Sequence, residues 1–444
     1  MRTLRLPPGP KGHFLLGVLP EVRKDELDYL DRIVAQYGDM IYLRVVNNPV
    51  FILSHPRDIE VVLLTKASNF VKSTFLRSSE ALFGNGLLTS DGSFWLRQRR
   101  LLQPAFHHDR LVEYSRTMVE YTERMLARWQ DGDVCDAHEA MVRVTMEIIA
   151  KLLFGDDIAS DTAQAGEALR VFFDQFDERF GLYLIPEWLP TPGNIKYRKA
   201  IARLDRIIGN VIGRRRATLD GGSDILSTLL RVKDEAGIQM TDTQLRDEMM
   251  TLFFTGHETT SLALGWTWYL LAQNPEAETK LFGELDQVLA GRAPGYEDLS
   301  QLRYTDWVVK ESLRLYPPAY GVVRTALKDC DIGGYSVPAG ATLAIFPWTV
   351  HRDPRFFERP LEFVPERWDN DFAKRLPRCA YIPFGVGPRV CIGNTFATTE
   401  LVLVVAAIAR KFQLKLAPGH RVLLSPSLTL RPRKGIRVML KNRQ

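Results

Sequence analysis

"FGVGPRVCIG", residues 384–393, places one cysteine among three glycines, a proline and an arginine. The chain has only four cysteines in 444 residues, so wrapping one of them in such permissive backbone calls for a reason. Two readings stand on this stretch alone. One takes Cys391 as a buried structural thiol, since free cysteine behaves as a small hydrophobe. The other takes the stretch as a ligand loop, in which glycines let the backbone turn tightly around a thiolate and Arg389 meets an anion nearby.

Composition bounds the rest. At 45% hydrophobic and 25% charged residues with a formal net charge of +5, the chain is ordinary globular material able to bury a large core. Arginines cluster in "RQRR" (97–100) and "GRRR" (213–216), which read as solvated faces and not as a nucleic-acid footprint. Cys135, Cys330, Cys379 and Cys391 form no CxxC pair and no zinc spacing, the sparse usage of reduced intracellular thiols. A Cys379–Cys391 disulfide stays open, though rare in the cytosol. The opening "MRTLRLPPGPKGHFLLGVLP" puts Pro and Gly where a signal peptide needs its apolar segment. The longest apolar run, "LVLVVAAIA" (401–409), is half the length of a bilayer span and reads as a buried helix. The expectation is a soluble, cytoplasmic protein and a monomer.

No repeat or linker cuts the chain, so 1–444 is expected to be a single domain, with "LDGGSD" (219–224) an exposed helix–helix loop. Alternation in "MIYLRV" (40–45) and "VFILS" (50–54) predicts an early β-hairpin. Residues 91–320 read mostly as helix, strands return over 333–346, and a closing hairpin is expected around 423–440. The fold class is mainly α with small β-sheets. Its most informative helix spans 241–273, opened by a Thr241–Gln244 capping box and ended by Asn274-Pro275. At 1.5 Å per residue it is roughly 50 Å long. Its middle, "LFFTGHETTSLAL" (252–264), sets Gly256 between apolar turns, where glycine costs about 1 kcal/mol against alanine. Either another helix packs closely there, or something flat approaches the backbone.

Four further stretches join the cysteine loop. They are "WLRQR" (95–99), "TGHETT" (255–260), "ESLR" (311–314) and "PERW" (365–368). Each alone is weak. Together, in the order W-x-x-x-R, G-x-E-T, E-x-x-R, P-E-R and F-x-x-G-x-R-x-C-x-G, they are highly specific. On these motifs the chain resembles, over essentially its full length, the cytochrome P-450 superfamily of haem-thiolate monooxygenases. The resemblance implies that fold, with helix 241–273 over the haem, and haem b (iron protoporphyrin IX) as cofactor.

It further implies that Cys391 is the axial ligand of the haem iron, its thiolate donating the electron density that favours O–O cleavage. Gly385, Gly387 and Gly393 let backbone amides turn toward the sulfur. Pro383, Phe384, Ile392 and Ala397 line the proximal face, and Leu87 and Gly256 approach from the other side. Trp95, Arg99, Arg324 and Arg389 meet the propionates. Glu311, Arg314 and Arg367 form a buried, structural ion-pair network. Glu258 and Thr259 resemble the acid–alcohol pair that delivers protons to oxygen. Position 255 departs from the family, with threonine where alanine or glycine is usual. His257 is expected to be structural, "HHD" (107–109) a poor metal site, and His351 receives no role.

Substrate contacts implied by the same motifs are Leu88, Phe254, Thr255, Ala319, Tyr320, Gly321, Val322 and Leu428. They are nearly all apolar, which suits a hydrophobic substrate such as a fatty acid, terpene or steroid. O2 is the co-substrate. Electrons are expected from a separate ferredoxin or flavodoxin with its NAD(P)H reductase, docking near Arg97, Arg100, Arg375 and Arg378. A peroxygenase or isomerase is the first alternative, weakened by the acid–alcohol pair, and a non-catalytic haem sensor the second.

Overall fold

The alternation at 40–54 builds one edge of a five-stranded sheet. In the computed structural model, which describes residues 5–73, 76, 79–155, 164–168, 171, 189–218 and 222–443, Met40–Val45 pairs antiparallel with Asn48–Leu53. The second strand runs parallel to Thr342–Ile345. Val322–Ala326 follows antiparallel, and Phe70–Lys72 closes the sheet antiparallel to it. Successive side chains on a strand face opposite sides, and the cores divide accordingly. Ile41, Leu43, Ile52 and Ala344 pack with Tyr29, Leu30 and Ile33 of the helix Glu26–Tyr37, which Asp25 caps through the Asp28 amide. Met40, Phe51, Leu53, Leu343 and Ile345 face the other core, with Ile59, Val62, Leu63, Cys379 and Ile382. That second core fixes the chain just before the 384–393 loop. These elements lie in a first compact unit, Met1–Arg77, Trp307–Asn394 and Thr429–Arg431.

A second unit, Ser78–Asp306, Thr395–Leu428 and Pro432–Gln444, holds most of the helices. Its long helix is Asp242–Gln273, with Thr241 as N-cap. The Gln244 amide donates to Thr241 Oγ1 at 3.2 Å, and the Thr241 amide donates to Gln244 Oε1 at 3.0 Å, so the expected capping box is complete. The helix packs most extensively on Ala137–Phe154 and buries residues on every side. Residues 401–409, read as a buried helix, are buried within Asn394–Lys411.

Two expectations change. The closing hairpin does not run to residue 440, because Arg437–Asn442 is the middle strand between Val134–Asp136 and Phe412–Leu416. Its Val438 and Leu440 are buried, and pairing on both sides satisfies its backbone groups. The "GRRR" run is not wholly a solvated face either. Arg215 is 11% exposed and paired with Asp224, and it also donates to the Phe154 carbonyl at 3.0 Å. A charge that deep is paired for the usual reason, the cost of desolvation. Residues 219–221 of the "LDGGSD" loop lie outside the described residues. No helix among the described residues is long and apolar enough to cross a membrane.

Candidate active site

In the first unit the E-x-x-R pair is a saturated cluster. Glu311 and Arg314 are both 0% exposed. Arg314 Nε and NH2 donate to the two Glu311 oxygens at 2.9 and 2.8 Å. Its NH1 donates to the carbonyls of His351 (2.8 Å) and Pro360 (2.7 Å), and NH2 to that of Glu362 (2.9 Å). All five guanidinium protons are therefore engaged. Glu311 also accepts from Arg367 Nε (3.2 Å), the Val364 amide (3.1 Å) and Trp368 Nε1 (2.9 Å). Motif spacing pointed to the two arginines but not to Trp368, because an indole donor carries no signature of its partner in sequence.

His351, given no role from sequence, links this cluster to the cysteine loop. Its ring is fully buried. Nε2 accepts from the Ile382 amide at 2.9 Å and Nδ1 faces the Arg314 carbonyl at 3.3 Å, so Nδ1 carries the proton. Burial, reinforced by the Arg314 charge, pushes its pKa down to about 3 from 6.5. The sign follows. The neutral ring's stabilising contribution is full above pH 6.5 and is lost as pH falls from there toward 3. Unfolding free energy should drop in that window by up to about 1.4 kcal/mol per pH unit from this group. His351→Gln keeps an acceptor and a donor without titrating. Denaturant melts at pH 7 and pH 5 should therefore show a smaller pH loss for the variant than for the native protein. Equal losses would remove His351 from the account.

Beyond Ile382 the loop is closed by its own backbone. Gly385 N donates to Ile382 O at 3.0 Å and Cys391 N to Phe384 O at 2.9 Å. Gly385 and Gly387 adopt φ of 70° and 80°. A Cβ on Gly387 would lie 2.1 Å from the Leu63 carbonyl, so glycine is obligatory there. Arg389 NH1 reaches the Ala67 carbonyl at 3.3 Å, and Arg324 NH1 the Val323 carbonyl at 3.0 Å. Pro383, Phe384, Ile392 and Gly393 are half-buried.

The thiols test whether the chain can hold an iron-bound haem. No cysteine is in a disulfide, and Cys391 alone of the four is exposed. Burial pushes the Cys135 and Cys379 thiols up to about 11 and raises that of Cys330. Burial disfavours the thiolate, the metal-binding form, at those three, whereas the Cys391 thiol stands exposed in the glycine loop and fits the group. No three His, Cys, Asp or Glu side chains gather to hold a bare metal ion among the described residues.

In the second unit the long helix is buried on nearly every face through its middle, except at Thr255, Gly256 and Thr259. These share one face at i, i+1 and i+4. Both readings of Gly256 find support. Its backbone is half-buried, and a Cβ would meet Ile149 Cδ1 at 2.9 Å, so any larger residue there would force the Ile149 side chain on the neighbouring helix to shift. Thr255 Oγ1 donates to the Thr251 carbonyl at 2.8 Å and Thr259 Oγ1 to the Thr255 carbonyl at 2.9 Å. The departing Thr255 hydroxyl is thus turned back on its own helix. Glu258 is 3% exposed, and one residue's rotation puts it off the Thr259 face. His257 is buried, with Nδ1 on the Phe253 carbonyl at 2.8 Å, the geometry of a structural residue.

Other candidates fall into place around these elements. Trp95 is buried on the helix Gly92–Leu102, with the Arg99 guanidinium 5.7 Å from its ring. Leu87 N donates to Glu248 Oε2 at 2.9 Å, and Asn85 N to Asp247 Oδ2 at 2.8 Å. These two buried carboxylates, which motif reading missed, pin the Leu87–Leu88 loop onto the long helix. Phe254 is buried, edge-on to Phe83 at 4.9 Å. Leu88, Ala397 and Leu428 are half-buried. In the first unit Gly321 and Val322 are half-buried and Ala319 exposed, while Tyr320 is buried and donates to Glu26 Oε1 at 3.3 Å. Burial pushes the Glu26 carboxyl up to about 7. Arg97, Arg100 and Arg378 pair with Asp234, Glu235 and Glu60, and Arg375 and Arg378 are both exposed.

Comparison with known proteins agrees over the whole length. The family model described as Cytochrome P450 matches residues 7–440. Cyclooctatin synthase of Streptomyces melanosporofaciens is 36% identical over 94% of this chain and 91% of its own. Cyclooctat-9-en-7-ol 5-monooxygenase of the same organism is 36% identical over 91% and 88%. The solved structure of a retinoic acid-bound cyanobacterial CYP120A1 superposes with a TM-score of 0.90 at 26% identity, covering 100% of both chains.

Proposed function

The chain belongs to the cytochrome P450 family, and from that premise we infer that it is a monooxygenase acting on a ring-bearing isoprenoid, with iron protoporphyrin IX as cofactor. Cyclooctat-9-en-7-ol and retinoic acid, named for the relatives, support that substrate class. So do the apolar candidates Leu88, Val322 and Leu428. A haem held through the Cys391 thiolate would supply the electron-rich iron that favours O–O cleavage. The protein's own residues supply the rest. The loop amides would orient the Cys391 sulfur, and the arginines Arg99, Arg324 and Arg389 would hold the propionates. The observation carrying the oxygen-handling role is the helix face Thr255–Gly256–Thr259, accessible in an otherwise buried segment. There Thr259 Oγ1 holds a proton, releasable once its bond to the Thr255 carbonyl is exchanged. Glu258, buried one residue before it in the chain, is the acid of the pair. Electrons come from a separate acidic ferredoxin or flavodoxin and its NAD(P)H reductase, with exposed Arg375 and Arg378 as docking cations.

The test joins substrate and proton delivery. Ring isoprenoids and straight-chain fatty acids are titrated for a shift of the haem Soret band, the former expected to bind tighter. With the best binder and a ferredoxin system, Thr259→Ala should keep the shift. A positioned proton donor is worth about 10²–10⁴-fold, so product per NAD(P)H should fall steeply while released hydrogen peroxide rises. Tighter fatty-acid binding would sink the substrate class, and unchanged coupling the role of Thr259.

A further inference from the structure

Residues 13–17, "HFLLG", form a tight turn in the first unit that holds apolar side chains out in water. His13 and Gly17 exchange backbone hydrogen bonds at 2.7 and 2.8 Å. His13 Nδ1 accepts from the amides of Leu15 (3.2 Å) and Leu16 (3.3 Å). Arg44 reaches over from the first strand and donates to the carbonyls of His13 (3.1 Å) and Phe14 (2.6 Å). Val46 N donates to Leu16 O at 3.0 Å. Gly17 has φ +60°, and a Cβ there would sit 1.7 Å from the Arg44 carbonyl. The turn is therefore held in one shape. Even so, Phe14, Leu15 and Leu16 are 75%, 60% and 40% exposed.

The size and charge of this tip select its occupant. Its exposed apolar surface is on the order of 300 Å², with an aromatic side chain near 200 Å². A stable protein partner needs about 800 Å² on each side. A lipid interface has no such threshold, since binding scales with whatever apolar area enters it. Between residues 5 and 25 the charged side chains are Arg5, Lys11, Arg23 and Lys24, all exposed, against two acids, half-buried Glu21 and exposed Asp25. We propose that this turn docks the protein on an anionic lipid bilayer. Phe14, Leu15 and Leu16 enter the boundary of headgroups and acyl chains, and Lys11, Arg23 and Lys24 meet the anionic headgroups. Arg44 is the positioning residue, keeping the turn rigid so that docking carries little ordering cost.

The experiment is co-sedimentation of the full-length holoprotein with phosphatidylcholine vesicles and with equal mixtures of phosphatidylcholine and phosphatidylglycerol. Binding is expected to the mixed vesicles and to weaken with salt. Phe14→Ser combined with Leu15→Glu should lower that binding about tenfold or more. Leu361→Glu, at a single leucine 74% exposed elsewhere, should leave it intact. Arg44→Gln should weaken it while keeping every apolar side chain. Thermal melts matching the native protein confirm that the tip variants are folded. Absence of binding at low salt, binding unaffected by the tip variant, or a native dimer that the tip variant turns into a monomer would each overturn the proposal, the last in favour of a second copy of the chain.

Discussion

Arg314→Ala should cost the protein a large share of its stability. Removing the guanidinium leaves Glu311, 0% exposed, as a buried carboxylate that has lost its two shortest charged donors. It also strands the carbonyls of His351, Pro360 and Glu362. Breaking a buried pair by deleting one partner typically costs about 3–5 kcal/mol, against a total of about 5–15 kcal/mol for a native protein. Arg314→Lys should fare little better, since an ammonium offers three protons on one centre in place of a planar fork of five. The measurement is denaturant unfolding together with haem retention after gel filtration. Because Arg314 touches neither of the candidate reacting groups, Cys391 or Thr259, the defect should appear in folding and cofactor retention first. A variant within about 1 kcal/mol of the native protein, fully loaded and spectrally normal, would remove the cluster from its structural role.

Cys391→Ala should abolish the thiolate signature altogether. The reduced, carbon monoxide-bound native protein is expected to show the absorption band of thiolate-ligated haem. Cys391→His should replace it with the band of a nitrogen-ligated haem, and monooxygenation should cease. Alanine at Cys135, Cys330 or Cys379 should leave the band in place. Burial raises the pKa of all three of those thiols, and a protonated thiol is a poor ligand. Cys379 is also buried in the core beneath the five-stranded sheet, so its alanine variant should lose some stability without losing ligation. A thiolate band surviving in Cys391→Ala would mean that another cysteine is the ligand.

Sequence by itself determined the features whose cause is local. The capping box and Asn274-Pro275 set the bounds of the long helix within a residue, because the groups that satisfy a helix end lie within a turn of it. Alternation located the 40–54 hairpin, since the pleat has a period of two. The cysteine loop was legible as a motif, through its spacing of glycine, arginine and cysteine, and E-x-x-R because i, i+3 places two charges on one helix face. Tertiary structure decided what depends on partners far away in the chain. Trp368 completes the Glu311 cluster, His351 ties Arg314 to Ile382, and Asp247 and Glu248 hold the 84–88 loop. None of these pairs has a periodicity to read. The same holds for Arg215, which becomes a nearly buried ion pair instead of a surface charge, and for Glu258, left 3% exposed by the segments packed on the long helix. A side chain's type is written in the sequence. Its burial, and hence its charge state and hydrogen-bond partner, is set only when distant segments pack against it.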